Sequence, residues 1–201
     1  MNSKLTQHLL GREYNSNIIF LILALFMYAV LATLVIVHSL FSLCLVSGSS
    51  MNPTLQDGQY VTLYNNFTAE RGDVIVFESE VRNEPLIKRV VATAGDTVEL
   101  RRTGDGYVDL YVNGEYVRED YIKERMRDYS DSVPLMLYPD VVVTVPEGHL
   151  FVLGDNRNNS TDSRYSIVGF VDEDSVLGEL AAIVPPDNIT EFFVRLFMGG
   201  F

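Results

Sequence analysis

The sequence predicts an all-β domain carried on one N-terminal transmembrane helix, and three observations lead there. Between Glu13 and Asp57 there is no Asp, Glu, Lys or Arg, and Ile18 to Val37 is 20 uncharged residues in a row. As a helix, such a run spans about 30 Å, the thickness of a bilayer's hydrocarbon core. Beyond residue 46 the pattern changes to short alternating runs of β-branched and aromatic residues, punctuated by Gly, Pro, Asn and Asp. No helical periodicity returns until the C-terminus. A chain of 201 residues has room for one sizeable domain or two small ones beside the membrane element.

Residues 1–17 form a short N-terminal segment. Lys4 and Arg12 precede the apolar run and no basic residue follows it until Arg71, so the N-terminus is expected in the cytoplasm and the rest outside. The span and its short connection are assigned to 18–46. A cleavable leader would have an apolar region of only about 7–15 residues and a small-residue cut site; this run is too long, so the helix is retained. Leu43-Cys44 lacks the small residue that lipid attachment would need. Cys44 is the only cysteine, so the external domain has no internal disulfide and rests on packing.

The external domain, 47–190, reads as strands in order. Gln59 to Tyr64 alternates as a half-buried strand does. Arg71-Gly72-Asp73 is a turn, followed by the β-formers Val74 to Phe77. Thr97 to Leu100 and Val108 to Val112 flank the turn Gly104-Asp105-Gly106, and Asn113-Gly114 turns the chain into Glu115 to Val117 because Asn-Gly accepts positive φ. Val141 to Val145 and His149 to Leu153 enclose Pro146-Glu147-Gly148. Residues 97–147 form a β excursion of low diagnostic value, in which Arg118 to Asp131 reads as a solvated loop. In the apolar tail, 191–201, Phe192, Phe193, Leu196 and Phe197 could share a helical face that would pack on the domain or, as the weaker alternative, lie on the membrane surface.

Charge limits the function. Residues 14–201 hold 13 Lys+Arg against 26 Asp+Glu, which opposes binding of nucleic acid or anionic lipid as a main role. Glycosylation-type sequons at Asn66, Asn188 and Asn158/Asn159 read as chance matches in an organism that does not glycosylate this way, which favours a bacterial source.

Chemistry points to a serine and a lysine. Ser50 opens Ser50-Met51-Asn52-Pro53-Thr54-Leu55 just after the span, and its hydroxyl needs a base. His8 precedes the span, His38 lies in it and His149 is in a strand-like run, so none is a natural partner. Lys88, inside Ile87-Lys88-Arg89-Val90-Val91, could serve if burial depresses its pKa; an ordinary lysine is neutral in only about 1 molecule in 2,500 at pH 7. The charge of Arg89 would push the same way, weakened by the alternation of side chains on a strand. Taken singly, the serine segment reads as a loop and the Lys-Arg pair as an exposed edge. A third segment, Gly154 to Arg164, is dense in turn formers, hydroxyls and paired charges, the make-up of a loop that frames a site. A calcium loop fits it poorly, since only Asp155 and Asp162 are acidic.

Together these segments resemble the bacterial type I signal peptidases, membrane-anchored proteases with a Ser–Lys dyad. The resemblance runs from the anchor to about Gly178, with four motif segments in family order: Ser50 to Leu55, Arg71 to Phe77, Ile87 to Val91 with Gly95-Asp96, and Gly154 to Arg164. It implies an antiparallel β catalytic domain, Ser50 as nucleophile and Lys88 as general base, with Ser160 hydrogen-bonded to the lysine amine. Asp162 and Arg164, with Asp155 and Arg157, are implied to be structural charges. Val46, Met51, Leu55, Val76 and Ile87 match positions lining shallow pockets that select small side chains in an Ala-x-Ala-like pattern. The resemblance implies no metal or cofactor; its partners are the bilayer and secreted preproteins bearing signal peptides, held in extended form along a strand edge.

Two departures stand out. Gly48 occupies a position that is serine in part of the family, so an oxyanion is left to the Ser50 N–H and a second, unassigned donor. Asn158 stands where many members have aspartate, and the stretch from Arg164 to Gly169 is longer than usual. Among rivals, the endoplasmic-reticulum type carries histidine at the place of Lys88. A self-cleaving repressor would need a DNA-binding segment in place of the anchor. A catalytically silent membrane scaffold, or a peptidase dedicated to one client such as a pilus subunit, remains as the alternative.

Overall fold

The computed structural model describes residues 3–79, 84–128 and 135–184, the side chains of 3–16 and of Val37 excepted. The C-terminal tail, its four aromatic and aliphatic residues and the Asn188 sequon lie outside the described residues. The chain divides into two units, Met1–Phe41 and Ser42–Phe201.

The first unit is α1 (Ser3–Leu40), whose stretch Asn17–Leu40 has a mean hydropathy of 2.9. Two of its hydroxyls return to the helix itself. Thr33 Oγ1 donates to Ala29 O and Ser39 Oγ to Val35 O, which satisfies hydroxyls that hydrocarbon could not.

The second unit is built on antiparallel sheets, as the alternation predicts. One has the order β1 (Phe41–Leu45), β2 (Tyr60–Tyr64), β12 (Val176–Val184), β3 (Val74–Ser79), β4 (Glu84–Ala92), β10 (His149–Leu153), β11 (Val171–Asp172). The other runs β7 (Glu115–Tyr116), β6 (Tyr107–Val112), β5 (Thr97–Arg102), β9 (Val142–Thr144), with β8 (Met126–Arg127) also paired to β6. Asn113 and Gly114 take φ of 54° and 78° in the β6–β7 turn, the geometry that an Asn-Gly pair permits.

Strand β3 divides two apolar clusters: Val74 and Val76 face Val46, Met51, Leu55, Val61 and Leu63, whereas Ile75 and Phe77 face Leu86, Val90, Leu150 and Val152. Strand β10 does the same for the second sheet, turning Phe151 and Leu153 toward Val98, Leu100, Leu110 and Val112. Val74–Phe77 and Leu150–Leu153 are unbroken apolar runs because both faces are covered there.

Within the span and connection assigned to 18–46, α1 ends at Leu40 and Phe41–Leu45 is the edge strand beside β2. One expectation changes: Arg118 to Asp128 is not simply solvated, because Met126 is buried, Tyr121 is half-buried and Glu119 bonds a fully buried arginine.

Candidate active site

The segment after β1 is closed at its base by two backbone bonds, Val46 N to Gln59 O (2.8 Å) and Gly58 N to Val46 O (2.9 Å). Gly48 follows at φ +87°, a value that disfavours other residues. Its N–H donates to Asp57 Oδ1 at 2.7 Å, so this N–H is already committed. A tight turn comes next, with Asn52 N on Ser49 O (3.1 Å) and Leu55 N on Met51 O (2.9 Å). Burial of Met51 and Leu55 pins the turn from below, and Ser50 stands at its start.

Lys88 comes from the middle of β4, paired across to Ile75 of β3. It is 3% exposed. Its Nζ donates to Ser50 Oγ at 2.9 Å and to Ile87 O at 2.8 Å. Hydroxyl and amine therefore meet although 38 residues separate them. Burial of this depth disfavours an ammonium relative to the neutral amine.

The Arg89 guanidinium engages both oxygens of buried Asp155, at 2.9 and 2.6 Å, and donates to Gly72 O, so its charge is matched by a carboxylate. Asp155 also accepts from Thr54 Oγ1 at 2.5 Å. Arg157 donates through two nitrogens to Glu119, at 2.5 Å each, and Arg164 through Nε and Nη2 to Asp162, at 2.8 and 2.9 Å. The ring of Tyr121 lies 4.2 Å from the Arg89 guanidinium and 6.0 Å from that of Arg157. Burial, followed by the charge of Glu119, pushes the Tyr121 phenol up to about 12, so it stays protonated and donates to Glu119 Oε1.

The hydroxyl of Ser160, the residue expected beside the Lys88 amine, is buried. It packs on Gly154, where an added Cβ would collide with Ser160 Oγ and come within 2.6 Å of Ser50 O. Gly154 is thus a residue that sequence reasoning passed over; its signal was its place at the head of the third motif. Asn158, in place of aspartate, uses both ends of its amide: Oδ1 accepts from Arg127 N and Nδ2 donates to Arg125 O. A carboxylate could make only the first of these bonds.

Ser50 and Lys88 lie in a cleft of about 650 Å³ that also takes in Val46, Val76, Ile87 and Cys44. Met51 and Leu55 sit beneath it in the core and do not line it. Three of the five residues expected at the pockets thus reach the open space, and two support it from below. The described residues hold no group of His, Cys, Asp and Glu arranged for a metal ion.

A family profile described as signal peptidase, peptidase S26, matches residues 18–184. Signal peptidase I of Bacillus licheniformis is 36% identical over 165 residues, covering 80% of this chain and 85% of that protein. Signal peptidase I P of Bacillus subtilis subsp. natto is 36% identical over 183 residues, covering 89% and 95%. The crystal structure of a signal peptidase I from Enterococcus faecalis V583 is 34% identical, with a TM-score of 0.42 over 57% of this chain and 98% of that one.

Proposed function

The chain belongs to the signal peptidase family, peptidase S26, and from that premise we propose that Ser50 and Lys88 carry its chemistry. It is a membrane-anchored serine endopeptidase that removes signal peptides, held by the apolar helix Asn17–Leu40. A silent scaffold is not favoured. The observation behind the assignment is the 2.9 Å contact between a buried amine and a serine hydroxyl inside a cleft.

With Nζ neutral, the same contact runs the other way and Ser50 O–H donates to it. Lys88 takes that proton as Oγ attacks the scissile carbonyl carbon. The tetrahedral adduct collapses, the C–N bond breaks, and the leaving amine receives the proton back from Lys88. The ester on Ser50 is then cleaved by a water that neutral Lys88 deprotonates. Val46, Val76 and Ile87 would set the preference for small side chains before the cut. The substrates are secreted preproteins, reached at the outer face of a single-pass protein whose N-terminus is cytoplasmic. The two basic residues ahead of the span support that orientation.

The test incubates detergent-purified protein with a preprotein and follows loss of the leader on a gel. Ser50→Ala and Lys88→Ala should each abolish cleavage while leaving the urea midpoint near that of the parent. Cleavage persisting in either folded variant removes that residue from the mechanism.

A further inference from the structure

We propose that Asn156 is a positioning residue for the oxyanion donor of this site, which rests on the assignment of Ser50 as nucleophile. Asn156 is 2% exposed and grips the turn at two successive carbonyls. Its side-chain Nδ2 donates to Ser49 O at 3.0 Å and its backbone N to Ser50 O at 2.9 Å. Asn159 adds a third hold, Nδ2 to Ser49 Oγ at 2.9 Å.

The consequence follows from peptide geometry. The Ser49–Ser50 bond is trans, and in a trans peptide the N–H points opposite to the C=O it shares a plane with. With Ser49 O fixed toward Asn156, the Ser50 N–H must point away from Asn156. That N–H has no acceptor among the described residues, and a backbone N–H left open beside a nucleophile is a donor held for charge that arises during the reaction. The neighbouring candidate, the Gly48 N–H, is occupied by Asp57. A hydrogen bond accepted by Ser49 O also polarises its peptide, which strengthens the attached N–H as a donor.

Asn156 is itself well fixed. Asp155 before it is tied to Arg89 and Thr54, Arg157 after it to Glu119, and Asn156 O accepts from Asn159 N at 2.8 Å. The buried charges of this loop thus converge on the orientation of one peptide.

The experiment uses the full chain in detergent with an internally quenched peptide bearing Ala-x-Ala before the cut. A matching peptide ending in an aldehyde, whose adduct with Ser50 Oγ carries the oxyanion, measures the tetrahedral state. Asn156→Ala should lower kcat about 10- to 100-fold, leave KM within about twofold, and weaken the aldehyde by the same factor as kcat. Asn156→Asp, equal in size but without the Nδ2 donor, should behave alike and covers the case in which the alanine variant folds poorly. An unchanged kcat, or equal losses of aldehyde and ordinary peptide binding, overturns the proposal. Ser50→Ala and Lys88→Ala run beside them: if these still cleave, the dyad assignment has failed instead.

Discussion

Asp162 illustrates how a single buried charge depends on its neighbours. Burial alone would raise its carboxyl, yet the charge and hydrogen bonds of Arg164, with the Gly154 N–H, outweigh that and hold it below the usual carboxylate range. A group depressed in the folded state contributes stability above its unfolded value of about 3.9 and loses it as pH falls through the lower folded value. Asp162→Asn should therefore lower the urea midpoint at pH 7, and its gap from the parent should narrow as pH drops below about 4. A gap of equal size at pH 3 and pH 7 would contradict this. At this scale the sequence was readable where a residue type is out of place: a lysine in an apolar run cannot be an ordinary core residue. Asp57 and Asn156 gave no such signal. They act on backbone N–H and C=O groups, and nothing in a side-chain pattern tells which peptide a polar residue will hold.

Among the elements, β1 was hidden by its composition. Phe41–Leu45 continues the uncharged run of the anchor, and apolarity alone does not separate helix from strand. Strand β12 was missed for a different reason: Gly178 interrupts its pattern. That glycine is needed because a Cβ there would meet Leu63 Cβ and Tyr64 O at 3.0 Å. Strands β2, β3, β5, β6 and β10 were legible because alternation or a short apolar run ended in turn residues. The assignment of β1 has a direct test. A chain beginning at Phe41 should keep its urea midpoint and cleave a soluble quenched peptide. One beginning at Ser47 loses the edge strand and buried Val46 with its two backbone bonds, and Val46 burial alone is worth about 1.5–3 kcal/mol. Equal midpoints and activities for the two chains would show that β1 is dispensable.

Across the whole molecule, the second sheet is joined to the catalytic one by more than shared apolar packing. Glu119 and Tyr121 reach from the excursion to Arg157 and Arg89, which organise the loop beside Ser50. This is why residues 97–147 read poorly from sequence: their alternation was visible, but ion pairs between distant segments leave no periodicity. Arg157 is fully buried and Glu119 only 8% exposed, so Glu119→Ala leaves a charge without its partner. The expected cost is about 3–5 kcal/mol in urea unfolding, with Glu119→Gln intermediate; a loss below 1 kcal/mol for the alanine variant would mean that the pair is not formed in solution. The cleft has one more property that concerns the chain as a whole. Cys44, the chain's single sulfhydryl, lines that cleft, so a thiol-specific reagent that labels the folded domain does so beside Ser50 and Lys88. Protection of that sulfur by an added peptide would report occupancy directly, with no engineered handle and no turnover needed.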